Sequence, residues 1–231
     1  MKKLFPTLSA LLLWAAFPLC MAAQQASGLS RTERAMVQQG LTDISEAIPG
    51  LPVSLMYTRS DNFTGRVLYK DLHRAYLHPE AARALKKARA ALKKKRPDLD
   101  LKVYDAARPL SIQQQMYDVV KNTPQNIYVS NPKNGGGLHN YGLAVDITLC
   151  CAATGDTLPM GTKIDNMTVL AHVREEAQLV RQGRLSRQAV ENRQLLREVM
   201  AAGGFRVLPT EWWHFNLKSR KEARRSYKVI R

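Results

Sequence analysis

Apolar residues recur every three or four positions in three segments of the chain, which predicts three amphipathic helices. The first covers residues 79–96, where Pro79 suits the first turn and Pro97 ends the helix. The second begins at Ser111, a good N-cap residue. The third runs over residues 187–202, and the glycine pair after it ends the helix. The residues predicted to face inward are Leu85, Ala88, Leu92, Ile112, Met116, Val119, Leu195, Leu196, Val199 and Met200.

Four shorter segments have the apolar pattern of strands: residues 101–104, 143–149, 205–208 and 213–217. Residues 122–137 are rich in Asn, Pro and Gly and predict a long loop, and long ordered loops in compact domains are often functional. Strands and helices do not alternate as regular β-α-β units. The predicted fold class is therefore α+β, with a mainly antiparallel central sheet flanked by helices in a single domain.

The N-terminus has the three-part layout of a secretion signal. Lys2 and Lys3 precede a short apolar run over residues 8–19, and Ala22 and Ala23 follow it. The run is too short for a comfortable transmembrane span. We therefore expect a signal peptide over residues 1–22, cut after Ala22 or Ala23, and a mature domain over residues 23–231 in the periplasm.

Cys20 leaves one alternative open, a lipid-anchored N-terminus. Leu19 before it is bulky where lipoprotein signals usually carry a small residue, so lipid anchoring is the minor alternative. The other two cysteines, Cys150 and Cys151, are adjacent and belong to no C-x-x-C motif. We interpret them as ordinary small apolar residues.

The composition is that of a folded and strongly basic protein, with 45% hydrophobic and 23% charged residues and a formal net charge of +16. Such a charge favours contact with polyanions. No nucleic-acid-binding motif is present and the chain is predicted to be exported, so we do not expect a nucleic acid partner. An anionic envelope surface of lipids or wall polymers is the remaining candidate, although solubility explains the charge equally well.

The segment Gly137–Asp146 contains a histidine and an aspartate seven residues apart. On one uninterrupted strand this odd spacing would place His139 and Asp146 on opposite faces. Both can bind one ion only if the chain turns between them, and Gly142 permits unusual backbone angles there. His139 is therefore predicted in the loop and Asp146 on the strand.

The segment Glu211-Trp212-Trp213-His214 adds a second histidine and a carboxylate. Two histidines and one carboxylate form an established catalytic zinc set, and a carboxylate that is not a ligand can take the proton from the attacking water. Each residue alone has a simpler interpretation, because a histidine beside tryptophans is usually packed and an aspartate on an apolar strand often caps a turn or pairs with an arginine. The combined pattern favours a metal site.

Five motifs occur in order between residues 57 and 217: Asn62-Phe63-Thr64-Gly65, D-x-x-R-P ending at Pro109, H-x-x-G-x-A-x-D over residues 139–146, P-M-G-T-x-I-D over residues 159–165, and E-W-W-H over residues 211–214. Together they resemble the D-alanyl-D-alanine dipeptidases, the VanX-like zinc peptidases of the D,D-peptidase and Hedgehog-like fold group. The resemblance implies that fold for the mature chain.

The resemblance also implies a role for each matched residue. The residues that correspond to the ligands of one zinc ion are His139, Asp146 and His214. Glu211 corresponds to the general base and later proton donor, and Arg108 to the residue that stabilises the anionic intermediate. Asp165 resembles the carboxylate that binds the ammonium group of the dipeptide, and Asp105 is expected to orient Arg108. His73, His78 and His172 are interpreted as surface or structural residues.

The implied function is hydrolysis of D-alanyl-D-alanine, or a similar D,D-dipeptide, to free D-alanine in the cell envelope. One alternative is a carboxypeptidase that trims peptidoglycan stem peptides at D,D- or L,D-bonds with the same residues; Asp165 favours the dipeptidase. Another is a non-catalytic wall-binding protein, which the complete ligand set and Glu211 argue against. The chain departs from the family at Gly137, where the family usually has a serine that lines the substrate site.

Overall fold

The computed structural model describes residues 28–231, so the predicted signal peptide, its cleavage site and Cys20 lie outside the described residues. The described part contains a two-stranded and a four-stranded sheet, and both are antiparallel. The strands of the small sheet are β1 (Thr42–Asp43) and β2 (Tyr76–Leu77). Those of the large sheet, in spatial order, are β3 (Leu99–Asp105), β4 (Ala144–Cys151), β6 (Glu211–Asn216) and β5 (Arg206–Leu208). The predicted α+β class with an antiparallel central sheet is confirmed.

Seven α-helices surround the sheets in the described residues: α1 (Arg31–Gln38), α2 (Ile44–Ala47), α3 (Pro79–Lys95), α4 (Leu110–Val120), α5 (Glu176–Arg181), α6 (Arg187–Ala202) and α7 (Arg220–Ser226). Short 3-10 helices lie at Met56–Thr58, Pro124–Tyr128, Pro132–Asn134, Leu138–Tyr141, Val169–Ala171 and Val173–Glu175. None of the described helices has the length and apolar character needed to cross a membrane.

The main core lies between the large sheet and the two long helices α3 and α6, which pack against each other. Side chains at every second position of β3 and β4 enter this core and are fully buried, namely Leu101, Val103, Ile147 and Leu149. Gly203, at the end of α6, allows the close approach of the helices. A Cβ atom there would lie 2.5 Å from the carbonyl oxygen of Ala84 in α3.

The predicted boundaries of α3 and α6 are confirmed to within one residue, whereas the prediction for α4 was wrong in two respects. The helix begins at Leu110 after Pro109, so Ser111 lies inside it and does not cap it. Val119 is 39% exposed, and Val120 is buried instead. The inward face is formed by Gln113, Met116 and Val120, which are spaced three and four residues apart.

Candidate metal centre and substrate cavity

The pairing of three neighbouring strands brings the candidate site residues side by side. Asp146 of β4 is paired with Asp105 of β3 on one side and with His214 of β6 on the other. The register between β3 and β4 shifts between Val103 and Asp105. Such a bulge redirects the side chains after it and is common beside active sites. The sheet therefore places one row of polar side chains at the end of its buried strands.

His139 reaches this row from the loop, as the sequence predicts. It lies in the 3-10 helix Leu138–Tyr141, which ends at Gly142 with a φ of 65°. A Cβ atom at Gly142 would lie 2.8 Å from the backbone nitrogen of His78, so both the backbone angle and the close approach require glycine. The peptide nitrogen of Arg108 donates to the carbonyl oxygen of His139 at 3.0 Å and fixes this turn against the segment after β3.

The three side chains that the resemblance assigns to a metal present one donor atom each, and these atoms form a small triangle. Nε2 of His139 lies 3.1 Å from Nδ1 of His214 and 3.3 Å from Oδ1 of Asp146, and the third side is 3.0 Å. Ligands about 2.0–2.2 Å from a tetrahedral zinc ion are separated by about 3.3–3.6 Å. The triangle is therefore close to the size that such an ion requires.

Hydrogen bonds elsewhere on the two imidazoles determine which nitrogen faces the triangle. Nδ1 of His139 donates to the carbonyl oxygen of Ala106 at 2.7 Å, and Nε2 of His214 donates to Oδ1 of Asn216 at 2.9 Å. The remaining nitrogen of each ring then faces the other ring and Asp146, and it presents a lone pair there when the ring is uncharged. Burial opposes the charge of Asp146, but the two histidines hold its pKa well below the usual range. Three donor atoms that face each other fit a metal cation, and the outer hydrogen bonds hold the two rings in the orientation that ligands would need.

Glu211 lies beside the triangle although it is three residues from His214. Regular alternation would place the two on opposite faces of β6. The register against β5 changes here, because Val207 is paired with Phe215 but Leu208 is paired with Glu211. Oε2 of Glu211 is consequently 3.9 Å from Nδ1 of His214. Burial raises the pKa of Glu211 to about 8, and the carboxylates of Asp146 and Asp165 add to this effect while His214 opposes it.

Arg108 is held at the site by buried partners. Its Nε donates to Oδ2 of Asp105 at 2.9 Å, and its Nη1 donates to Oε1 of Gln113 at the same distance. Asp105 also accepts a hydrogen bond from the hydroxyl of Tyr69 at 2.6 Å. Burial opposes the charge of Arg108, yet Asp105 raises its pKa well above the usual value. The structure therefore places Asp105 in direct contact with Arg108, the residue that Asp105 is expected to orient.

Asp165 is the one described residue other than glycine with a positive φ, at 63°. The hydroxyl of Tyr57 donates to both of its carboxylate oxygens, at 3.0 and 3.1 Å. The ring of Tyr57 also lies 5.2 Å from the guanidinium carbon of Arg108. Burial raises the pKa of Asp165 to about 7, and Asp146 contributes further. A buried carboxyl group with this environment is favourably placed to receive a cation.

Six of the seven predicted site residues line one cavity of about 420 Å³, and the seventh, Asp105, lies behind Arg108. The other walls of the cavity come from the loop over residues 127–130 and from β5, β6 and the start of α7. At its rim the hydroxyl of Tyr128 is 2.7 Å from Nε2 of His172, so His172 joins two loops. His78 is structural, because its side chain caps α3, and His73 is exposed.

Sequence reasoning missed the cavity residues Tyr57, Gln113, Tyr128, Ser130, Asn216 and Arg220. Tyr57 stands at the start of the first matched segment, which is the only indication of it in the sequence. The others belong to no motif, although Tyr128 and Ser130 lie in the loop over residues 122–137 that the sequence indicated as functional. Cys150 and Cys151 are free thiols outside the cavity; Cys150 is buried and Cys151 is partly exposed.

The chain is similar to known proteins over most of its length. The D-ala-D-ala dipeptidase family of peptidases matches residues 37–231, which includes every motif segment named above. A D-alanyl-D-alanine dipeptidase of Escherichia coli is 33% identical over 177 residues, or 77% of this chain and 84% of that protein. A D-alanyl-D-alanine dipeptidase of Enterococcus faecium is 27% identical over 194 residues, which cover 78% of this chain and 92% of that protein. One of Streptomyces coelicolor is 39% identical over 80 residues, which cover 35% of this chain and 36% of that protein.

Proposed function

The chain belongs to the D-ala-D-ala dipeptidase family of metallopeptidases, and we propose that it hydrolyses D-alanyl-D-alanine, or a closely similar D,D-dipeptide, with one zinc ion held by His139, Asp146 and His214. The observation that carries this proposal is the buried triangle of three donor atoms beside Glu211. Two imidazoles and a carboxylate suit zinc, and three protein ligands leave a position for water and substrate.

A zinc ion at this site would acidify a water molecule and polarise the scissile carbonyl group. In this proposal Glu211 accepts the proton of the attacking water, and the position of its carboxylate beside the triangle but outside it supports this role. The water oxygen forms the new bond to the carbonyl carbon. Glu211 then donates the proton to the leaving nitrogen as the C–N bond breaks. One dipeptide and one water thus give two molecules of D-alanine.

Two further side chains act on the substrate in this proposal. Arg108 keeps its charge through Asp105 and faces the cavity, so it favours the negative charge that develops on the carbonyl oxygen. Asp165 attracts the free ammonium group of the dipeptide. This contact requires an unblocked N-terminus, which distinguishes a dipeptidase from an enzyme that trims longer stem peptides.

We propose further that the enzyme works in the periplasm, where free D,D-dipeptides arise from peptidoglycan. The lysines, apolar run and small residues at the N-terminus support export. Export favours recovery of D-alanine from wall turnover over removal of newly made precursor, which would be most effective in the cytoplasm. Detection of the full-length, uncut chain in the cytoplasm of the native cell would contradict this proposal.

The test of the proposed activity is D-alanine release from D-alanyl-D-alanine by the purified mature chain. It is measured as isolated, after chelation, and after zinc is restored. Release that disappears on chelation and returns with zinc is the expected result. N-acetyl-D-alanyl-D-alanine is the comparison substrate, and we expect it to be hydrolysed far more slowly. Equal rates on both would indicate a carboxypeptidase, and no release from a folded, zinc-loaded sample would overturn the proposal.

A further inference from the structure

The cavity holds a cation that the proposed mechanism does not use. Arg220, the first residue of α7, lines the same cavity as the metal ligands and Asp165. A dipeptide carries a carboxylate as well as an ammonium group, and Asp165 accounts only for the ammonium. We propose that Arg220 and Ser130 together bind the C-terminal carboxylate of the substrate. This inference rests on the proposed function and adds to it the means by which the second end of the substrate is recognised.

Arg220 is exposed, and its guanidinium is hydrogen-bonded to a neutral side chain of the cavity. Its Nη2 donates to Oγ of Ser130 at 2.6 Å. No carboxylate among residues 28–231 forms an ion pair with Arg220. Because the Ser130 hydroxyl accepts from the guanidinium, its own hydrogen can be donated to a ligand. A guanidinium and a hydroxyl that both donate into one space suit a carboxylate, which accepts hydrogen bonds at two oxygens.

Ser130 also lies close to the reacting groups. Its carbonyl oxygen accepts from Nε2 of Gln113 at 2.9 Å, and Gln113 in turn accepts from Arg108. A Cβ atom added to Gly137 would lie 3.1 Å from the Ser130 hydroxyl oxygen. Gly137 is two residues before the ligand His139, so the hydroxyl borders the loop that carries the metal ligand. Asp165 is connected to Arg108 by a different route, through Tyr57.

The other cations of the cavity are less suited to this role. Lys218 is already paired with Glu80 at 3.3 Å and with Glu222 at 3.1 Å. Arg206 on β5 is exposed, as Arg220 is, but unlike Arg220 it makes no side-chain hydrogen bond within the described part of the chain. Arg220 is the cavity cation that is hydrogen-bonded to another cavity side chain and has no paired anion among these residues.

Recognition of both ends would restrict the enzyme in two ways. A carboxylate subsite requires the scissile bond to precede the last residue of the substrate. The ammonium subsite at Asp165 requires that bond to follow the first residue. Only a dipeptide meets both conditions, so the two subsites together select length as well as charge.

The experiment compares D-alanyl-D-alanine with D-alanyl-D-alaninamide, which lacks the terminal charge, on the zinc-loaded enzyme. We expect Arg220→Ala to lower kcat/KM for the acid by on the order of 10- to 100-fold, mainly through KM, and to leave the amide nearly unchanged. Arg220→Lys should recover part of the preference for the acid. Ser130→Ala should lower kcat/KM for the acid less than Arg220→Ala does. Lys221→Ala, an exposed neighbour on α7 outside the cavity, should behave like the wild type.

The outcomes separate this inference from the function beneath it. An unchanged acid-to-amide ratio in folded Arg220→Ala would overturn the carboxylate site while the dipeptidase activity stands. If Arg206→Ala instead loses the preference for the acid over the amide, the carboxylate binds Arg206, and the proposal is also overturned. If the wild type hydrolyses neither substrate, the proposed function fails, and this inference fails with it.

Discussion

Among the described residues, Glu211 has no hydrogen-bonded cation, in contrast to Asp146 in the cavity and Asp105 behind it. Asp165 has none either, but it accepts hydrogen bonds from the hydroxyl of Tyr57. Asp105 and Asp146 are bound by an arginine and by two histidines, whereas the nearest basic atom to Glu211 is 3.9 Å away. Its burial and raised pKa show that the environment favours a proton on this carboxyl group. A carboxylate whose proton affinity is raised by burial suits a residue that must accept a proton and then return it.

Replacement of Glu211 by glutamine therefore removes proton transfer with little change of shape. We expect Glu211→Gln to lower kcat by about 10²- to 10⁴-fold and to leave the bound zinc in place, because Glu211 is not part of the donor triangle. Turnover and metal content per chain are the two measurements. Glu191→Gln, an exposed change on α6, is the matched control. Near-normal turnover by zinc-loaded Glu211→Gln would refute the assigned base.

The raised pKa of Asp165 predicts that the stability of the folded chain depends on pH. Its pKa is raised from 3.8 to about 7 by burial, with Asp146 as a second cause. An acid whose folded pKa is raised binds its proton more tightly in the folded state. Its contribution to stability is thus present below pH 3.8 and is lost as the pH rises to about 7. Asp165→Asn removes this loss.

We therefore expect chelated Asp165→Asn to unfold at a higher temperature than the chelated wild type at pH 8, with no such gain at pH 3.5. Thermal unfolding followed by circular dichroism measures both. The same variant should have a raised KM for the dipeptide, since the ammonium loses its partner. A gain of equal size at both pH values would show that the carboxyl charge is not its cause.

The sequence identified the reactive residues of the site better than the residues that hold them in place by hydrogen bonds. The motifs at residues 139–146 and 211–214 contain all the residues of the donor triangle. The partners of these residues are distant in sequence and carry no motif of their own. Ser130 and Arg220, for example, are 90 residues apart. A contact between residues so far apart depends on how the whole chain folds. Local patterns in a single sequence do not predict it.

At the scale of elements, apolar periodicity located the long helices well and the short irregular pieces poorly. Helices α3 and α6 have continuous apolar stripes, so their predicted bounds agree with the structure. The change of register between β5 and β6 brings Glu211 beside His214, but no residue pattern in this segment predicts that change. Strand β6 was predicted to begin at Trp213 and begins at Glu211. Pairing with a neighbouring strand decided that boundary.

The loop over residues 122–137 was predicted as functional, and its contact with His172 offers a test. Tyr128 joins this loop to the segment between the 3-10 helices Val169–Ala171 and Val173–Glu175. Both sides border the cavity through Tyr128 and Met167. Because one hydrogen bond connects the two sides, its loss should allow the rim to open more readily.

We expect Tyr128→Phe to raise the KM for D-alanyl-D-alanine several-fold and to increase the relative rate on a tripeptide of D-alanine. Steady-state kinetics on the two peptides measure the change. Tyr227→Phe removes a hydroxyl that binds Glu80 and lies outside the cavity, so it is the matched control. An unchanged ratio of dipeptide to tripeptide hydrolysis in Tyr128→Phe would show that this contact does not control substrate length.

For the whole molecule, the donor triangle links metal binding to folding. His139, Asp146 and His214 come from the loop before β4, from β4 and from β6, so their donor atoms meet only in the folded chain. In the folded state these donor atoms lie 3.0–3.3 Å apart, so their lone pairs repel one another unless a metal ion or a proton lies between them. An ion that binds the folded chain and not the unfolded chain stabilises it by mass action.

Zinc at about 1,000 times its dissociation constant should add about 4 kcal/mol of stability, or a rise in Tm of roughly 8–16 °C for a domain of this size. The measurement is thermal unfolding with chelator and with a zinc series. His214→Ala should abolish most of the rise, and His73→Ala, which changes an exposed histidine outside the cavity, should retain it. If His214→Ala keeps the full rise, zinc binds elsewhere in the chain. A rise confined to proteins with an intact triangle would link the metal to these three strand and loop residues, independently of any substrate.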